Sequence, residues 1–448
     1  MKISNFFKGH ERSVKAKKNI IASFGIKGIS IIVGFLMVRV VLDYLDQTKY
    51  GIWLTLTSLL TWFSFFEIGL GNGLKNKLAE ALAVEDYGLG KIYVSTTYAI
   101  LSIIIGLAAI IFLVLNFYID WTVILNTDKN LAKELSTLSL IVFGFFFLQF
   151  VLKLISIILF ADQQPAKANS FGPIGNLIAL IIIYILTKTT DGSLIYLGWV
   201  LSVTPVLVLV IVTIYLFSRD YKNISPSIKF VNFSYAKDLL NLGVKFFIIQ
   251  IVGLIIYQSS NIIIAQYFGP GEVTTYNIAY KYFSILLMVS TIIITPFWSA
   301  YTEAWVKDDI QWIRNTVKKL IIIWGIMSVG GILMLVISDK FYYLWIGDQV
   351  IIPFKLSAAL LIYFITFTFG GVFVMFINGV GKVKLQMYTS IIGAVLFILL
   401  AILLIKHTDL GIAGLVIASI ISNFNGIIIA PIQYKKIINK KAKGIWNL

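Results

Sequence analysis

Five basic side chains lie inside long apolar stretches of the chain: Lys27, Arg39, Lys153, Lys245 and Lys281. A charge at the centre of a membrane helix costs at least ~2.5–3.5 kcal/mol, so such residues usually face a protein interior or a wet cavity. One acidic residue, Glu67, lies near the end of another stretch and is a candidate for proton or ion coupling. The free-energy cost of burying cations falls when an anion enters the same space. The five basic residues therefore predict a negatively charged, amphiphilic substrate.

Polar residues recur at helical spacing beside these cations and predict the wall of a central cavity. Asn277 and Ser284 lie four residues before and three after Lys281, which is the clearest such face. Lys281 is therefore the strongest single candidate for substrate binding. The polar residues predicted to line the cavity are Ser23, Ser30, Gln149, Gln250, Tyr257, Asn261, Asn277, Ser284 and Thr291.

Each of these residues also has a structural interpretation. Serine and threonine in membrane helices often bond their own backbone or join neighbouring helices. Lys27 and Lys245 could extend to the membrane interface, and Arg39 could pair with Asp43 one turn later as an outer-interface anchor. Lys153 and Lys281 lie about 11 and 12 Å inside their predicted spans, by the ~1.5 Å rise per residue, which makes an anchoring role harder.

The elements that position these residues are predicted to be membrane helices. Only 13% of the residues are charged and 59% are hydrophobic, whereas a soluble domain has about 25% charged residues. The apolar blocks are about twenty residues long, enough to cross a ~30 Å hydrocarbon core. We predict an all-α polytopic membrane protein with twelve spans near residues 20–42, 51–71, 93–114, 134–160, 169–187, 194–217, 242–266, 273–298, 318–338, 354–378, 386–405 and 410–432.

The net charge of +16 is distributed unevenly along the chain. The predicted inner connections and tails hold roughly four times as many Lys and Arg residues as the outer loops, which satisfies the positive-inside rule. Both termini are therefore predicted to be cytoplasmic. The excess of basic residues therefore indicates the membrane topology, and these residues could also attract anionic lipid headgroups. No nucleic acid is expected as a partner.

Several kinds of chemistry are absent from the sequence. The chain has no cysteine, which excludes disulfides and thiolate chemistry. Its two histidines, His10 and His407, lie in a tail and beside a short loop, so no metal site is expected. No phosphate-binding loop, HExxH motif or catalytic triad is present. We predict no catalytic residue, no cofactor and no enzymatic activity.

An internal repeat divides the chain into two halves. The run Phe24-Gly25-Ile26-Lys27 resembles Leu242-Gly243-Val244-Lys245, and Ala79-Glu80-Ala81 resembles Thr302-Glu303-Ala304. Two six-helix bundles are predicted, related by a pseudo-twofold axis along the membrane normal, as in transporters that rock two bundles about a central site. The predicted segments are a basic tail (1–19), the first bundle (20–217), an inner linker (218–241), the second bundle (242–432) and a basic tail (433–448). Residues 72–83 are predicted to form a short amphipathic helix.

Several short motifs resemble a known family. They are Tyr50-Gly51-Ile52-Trp53, the run Gly69-Leu70-Gly71-Asn72-Gly73-Leu74, and Asn76-Lys77-Leu78-Ala79-Glu80-Ala81. Together with the early lysine helix, they look like the polysaccharide-transporter family, the Wzx-type flippase branch of the multidrug/oligosaccharidyl-lipid/polysaccharide exporter superfamily. The likeness extends over the whole chain in length, number of spans and twofold repeat.

The resemblance implies a flippase of the bacterial inner membrane that moves an undecaprenyl-pyrophosphate-linked oligosaccharide to the outer leaflet by alternating access. The five basic residues would then meet the pyrophosphate, with Lys27 and Lys245 as its first contacts at the cytoplasmic opening. Implied partners are the lipid-linked glycan, membrane lipids, and the polysaccharide polymerase and chain-length machinery.

Three rival functions come from neighbouring classes. A multidrug or cation antiporter of the same superfamily is the main alternative, but it is expected to bury carboxylates, and Glu67 is the only candidate. A lipid II flippase usually has fourteen spans, and the chain has no room for two more. A membrane glycosyl- or acyltransferase is expected to carry acidic or histidine chemistry in its loops, which this sequence lacks.

Overall fold

The computed structural model describes residues 11–63, 66–162, 164–236, 259–294, 297, 301, 304–305 and 307–447. For residues 11–24, 61–63, 66–70, 72, 76 and 83 it describes the backbone alone. Throughout these ranges the regular structure is helical, without a β-strand. The chain divides into two compact units, Met1–Ile248 and Ile249–Leu448. The all-helical prediction is therefore confirmed, while the segment boundaries predicted above stay predictions.

Ten helices within the described ranges are long and apolar enough to cross a membrane. Of the other two predicted spans, the one at 51–71 falls on a helix of only 17 residues, Gln47–Phe63, and the following helix. The span predicted at 242–266 lies largely outside the described residues. The number twelve therefore stays a prediction.

The N-terminal unit begins with long helices joined by short turns. Its helices are α1 (Glu11–Tyr44), α2 (Gln47–Phe63), α3 (Phe66–Ala83), α4 (Tyr87–Asn116), the short α5 (Trp121–Leu125), α6 (Ala132–Leu152), α7 (Leu154–Ala161), α8 (Pro165–Thr189) and α9 (Leu194–Ser218). The short amphipathic helix predicted at 72–83 is the second half of α3. Leu74 and Leu78 are fully buried on it, because residues four apart share one helical face.

Helices of the N-terminal unit pack in two groups. In the first, α3 lies against α4 and α7, and α4 against α6. In the second, α8 packs on both α1 and α9, and α9 also packs on α6. Gly175 permits the close crossing of α8 and α9, because a Cβ there would lie 3.1 Å from the Pro205 backbone.

The C-terminal unit has a similar sequence of helices. They are α10 (Pro270–Ile294), α11 (Ile310–Val336), α12 (Ser338–Ile346), α13 (Phe354–Gly379), α14 (Lys384–His407), α15 (Ile412–Ser422) and α16 (Ala430–Ile438), with a π-helical stretch (Asn425–Ile429) between the last two. Residues 259–268 are helical as well.

The same helix neighbours recur in the two units. In the C-terminal unit α10 packs on α11 and α13, α11 on α13, α13 on α15, and α14 on α15. In chain order these pairs match α3–α4, α3–α7, α4–α6, α6–α9 and α8–α9 of the N-terminal unit, with the one helix α13 in the place of both α6 and α7. Gly393 on α14 even repeats the close approach of Gly175, since a Cβ there would lie 2.6 Å from the Ser422 carbonyl oxygen. Such recurrence is what an internal repeat predicts.

Candidate functional site

Lys281 lies midway along α10 and is half-buried in the C-terminal unit. Its two sequence neighbours fix the rotation of the helix. The Tyr280 ring lies 5.0 Å from the Phe364 ring of α13, and the Tyr282 hydroxyl donates to the Met334 carbonyl of α11 at 2.9 Å. The lysine is thus held in place by a helix that is packed on both sides, and its ammonium group is partly withdrawn from solvent.

One turn before Lys281, two of the predicted cavity residues meet. The Asn277 amide nitrogen donates to the Asn261 side-chain oxygen at 2.9 Å and to the Val273 carbonyl at 2.8 Å. The pair joins α10 to the helical stretch 259–268. Sequence spacing placed both residues on polar faces, but only the tertiary structure pairs them.

The hydroxyl groups on the same face of α10 bond to their own helix. Ser284 donates to the Lys281 carbonyl at 2.8 Å, and Thr291 donates to the Leu287 carbonyl at 2.8 Å. This is the backbone bonding that serine and threonine commonly show in membrane helices. Their oxygen atoms can still accept a hydrogen bond from a ligand, because a hydroxyl has two lone pairs.

Lys153 lies at an interruption of the fourth predicted span. It is exposed and forms the turn between α6 and α7, where its backbone N–H donates to the Gln149 carbonyl at 2.9 Å. Gln149 is half-buried one turn earlier. The carbonyl end of α6 carries partial negative charge that favours a cation there. The fourth predicted span therefore consists of two helical segments, α6 and α7, that meet at Lys153.

The two cations of α1 differ in their surroundings. Lys27 is exposed, and one turn on Ser30 donates to the Ile26 carbonyl at 2.7 Å. Arg39 pairs with Asp43, with 3.2 Å between Nε and Oδ2, and each side chain is 39% exposed. The ion pair between Arg39 and Asp43, predicted above as an alternative to a role in the cavity, is confirmed. An exposed ion pair of this kind contributes about 1 kcal/mol or less to stability. It therefore does not prevent Arg39 from binding a more highly charged anion.

Some predicted site residues cannot be placed. Lys245, Gln250 and Tyr257 lie outside the described residues, and the side chains of Ser23 and Glu67 are not described. In the described ranges, no three His, Asp or Glu side chains come together as metal ligands.

A polar cluster between the α7–α8 turn and the segment after α9 was not predicted from the sequence. The Tyr221 hydroxyl donates to Asp162 Oδ2 at 2.7 Å, and the Gln164 amide donates to the same oxygen at 2.5 Å. Burial, and then the hydrogen bond to Asp162, raise the pKa of Tyr221. The cluster fastens the segment after α9 to the α7–α8 turn. Tyr221 is far along the chain from Asp162 and Gln164, so no local spacing could have revealed the cluster.

Comparisons with known proteins give one family and several relatives. Residues 16–302 match the family model described as polysaccharide biosynthesis protein. A Salmonella typhi protein named as an O-antigen transporter is 25% identical over 359 residues, which cover 78% of this chain and 79% of the relative. A Yersinia pseudotuberculosis protein named as an O-antigen export protein is 22% identical, covering 81% and 83% of the two chains.

The fold is also similar to solved structures. An inward-facing multidrug resistance MATE family transporter of the MOP superfamily superposes with a TM-score of 0.79. The match covers 94% of this chain and 98% of that one, at 13% identity. At that identity the likeness concerns the fold alone.

Proposed function

Because the chain belongs to the polysaccharide biosynthesis protein family, we propose that it flips an undecaprenyl-pyrophosphate-linked oligosaccharide across the bacterial inner membrane. The resemblance to Wzx-type polysaccharide transporters drawn from the sequence is confirmed. The chain is a multi-pass transporter-family protein of that membrane. The cargo that we propose is a repeat unit of O-antigen, capsule or exopolysaccharide.

The topology proposed for this function has twelve spans in two six-helix bundles, a pseudo-twofold axis along the membrane normal, and both termini in the cytoplasm. The recurring helix neighbours of the two units support the repeat. The excess of Lys and Arg in the predicted inner connections supports the sidedness. Transport would proceed by alternating access between the two leaflets.

The observation that carries the proposal is the half-buried Lys281 on a helix able to cross the membrane. An ammonium group in a place of low polarity attracts an anion more strongly than it would in water. A pyrophosphate offers a compact anion, and lysine is a common phosphate ligand as a point charge. A cationic drug would be repelled at the same position, which argues against the antiporter alternative.

We assign the other cations to stages of the same path. Lys27, which is exposed on α1, and Lys245 would make the first contacts with the pyrophosphate at the cytoplasmic opening. Lys153 and Arg39 would contribute further positive charge along the path. Glu67 is kept as the candidate for coupling to a proton or ion gradient. The polymerase and the chain-length machinery are the proteins expected to receive the flipped product.

The direct test is a flipping assay with the purified protein in proteoliposomes. One set of vesicles carries a pyrophosphate-linked polyprenyl glycan, and a matched set contains a cationic dye. We expect glycan movement between leaflets, measured by accessibility to an added glycosidase, and no dye export. Dye transport without glycan movement would contradict the proposal and move the protein to the multidrug class.

A further inference from the structure

Three large apolar side chains are exposed on the segment after α9. We call residues 219–236 the docked linker. Ile228 is 91% exposed, Phe233 56% and Phe230 40%. They lie on two short 3₁₀ turns, Ile228–Phe230 and Phe233–Tyr235. Apolar side chains clustered on a surface commonly mark a place that contacts a partner or a membrane.

The docked linker is held against α4 by specific hydrogen bonds. The Ser227 N–H donates to Ser95 Oγ at 3.0 Å, and the Asn232 N–H donates to Thr96 Oγ1 at 3.0 Å. Buried Ile224 fits against Gly90 of α4, where a Cβ would lie 3.2 Å from its methyl group. The backbone is fixed on both sides of the first apolar turn and at the start of the second, so the exposure of these side chains is built into the fold.

The length of α4 gives the level of these contacts in the membrane. The helix has 30 residues, and its exposed large apolar side chains run from Ile103 to Leu115. About twenty residues cross a ~30 Å hydrocarbon core. Counted back from Asn116, they end beside Thr96. This count puts the docked linker at the level where the hydrocarbon of a bilayer would meet the headgroups.

Positive charges surround the apolar turns. Arg219, Lys222 and Lys229 are exposed on the docked linker. The Lys91 ammonium lies 4.7 Å from the centre of the Phe230 ring. The acidic residue of this surface, Asp220, lies 3.4 Å from Lys167 and is thereby compensated. The surface thus combines apolar tips with an excess of cations, as amphipathic membrane-surface segments do.

We propose that the docked linker is an interfacial membrane anchor. Ile228, Phe230 and Phe233 enter the boundary between headgroups and acyl chains, and the neighbouring lysines and arginine contact anionic lipid headgroups. The cytoplasmic leaflet follows from the sidedness under Proposed function. The anchor would keep the segment that joins the two units against the bilayer, whatever substrate is moved.

The test uses single cysteines, since the chain has none of its own. Full-length Ile228→Cys and Phe233→Cys variants are labelled with an environment-sensitive fluorophore and placed in vesicles of phosphatidylcholine, with or without phosphatidylglycerol. Val84→Cys is the matched control: Val84 is apolar and 73% exposed. Val84 lies just before α4, whose first residues from Tyr87 to Thr96 extend about 13 Å by the ~1.5 Å rise per residue. A label at position 84 should therefore lie about that much farther into the water than the docked linker.

We expect iodide in the water to quench the labels at 228 and 233 several-fold less than the label at 84. Lipids with a nitroxide near the headgroup should quench them more than lipids labelled deep in the acyl chain. Equal iodide quenching at all three positions would overturn the proposal. Protection from both iodide and lipid nitroxide would also overturn it, because protein would then cover the patch.

The charge component has a separate test. The Lys222→Glu and Lys229→Glu changes together should abolish the extra lipid quenching that phosphatidylglycerol causes at position 228. The control is Lys188→Glu, at an exposed lysine at the other end of the unit, which should leave that extra quenching unchanged. An unchanged response to phosphatidylglycerol would overturn the headgroup contact. These readouts measure depth rather than flipping, so they can fail independently of the proposed function.

Discussion

At the scale of single residues, the described cations fall into different environments. Lys27 and Lys153 are exposed, Arg39 is paired with Asp43, and Lys281 is half-buried beside packed tyrosines. Burying a charge, even in part, costs stability, and binding of an anionic substrate would give the charge at position 281 a use. This contrast makes Lys281 the residue at which a structural role and a binding role can be separated.

We expect Lys281→Met to lower the rate of glycan flipping at least about tenfold, because loss of a charged hydrogen bond costs roughly 1.5–3 kcal/mol. The melting temperature should be unchanged or higher, since a neutral side chain of similar length is cheaper to bury. Lys340→Met, at an exposed lysine of α12, is the control. Wild-type flipping by the Lys281→Met variant, present in normal amounts in the membrane, would contradict the binding role.

At the scale of elements, close helix crossings depend on a few glycines. Gly370 of α13 faces Gly426 in the π-helical stretch, and a Cβ at Gly370 would lie 2.7 Å from the Gly426 Cα atom. The neighbouring Gly371 has no atom within 4 Å of its Cβ position. Small residues let membrane helices approach closely, so these adjacent positions should respond differently to the same change.

Gly370→Ala should destabilise the C-terminal unit by about 1–3 kcal/mol, the usual cost of overpacking. Gly371→Ala should be neutral or stabilising by up to about 1 kcal/mol, because alanine favours the helix over glycine. Thermal melting in detergent micelles, followed by the tryptophan fluorescence of the protein, compares the two variants. The same melting temperature for both would show that the crossing does not require a glycine.

At the scale of the whole molecule, each unit repeats one pattern of helix neighbours. The repeated sequence runs carry a lysine near the same place in both halves, Lys27 and Lys245. If alternating access uses the two halves equivalently, these lysines act together on the substrate. If each lysine can contact the pyrophosphate when the other is missing, removing both should cost more than the sum of the single changes, since residues with a shared partner are energetically coupled.

The double change Lys27→Ala with Lys245→Ala should therefore reduce glycan export more than the two single changes predict. Export is measured by surface glycan in cells that depend on this protein, with its amount in the membrane monitored by immunoblot. Unchanged export from the double variant at normal amounts would remove both lysines from the path. Lys188→Ala, at the exposed end of α8, is the control.

The sequence by itself determined the membrane class, the positions of most helices and the Arg39–Asp43 pair. These follow from local quantities: the length of apolar runs, the 3.6-residue period and the i+4 spacing. Only the tertiary structure decided that Lys281 is half-buried, that Asn277 bonds Asn261 and that Tyr221 bonds Asp162. It also revealed the docked linker and the break at Lys153. Such features depend on which helices become neighbours, and long-range packing leaves no periodic trace in the chain.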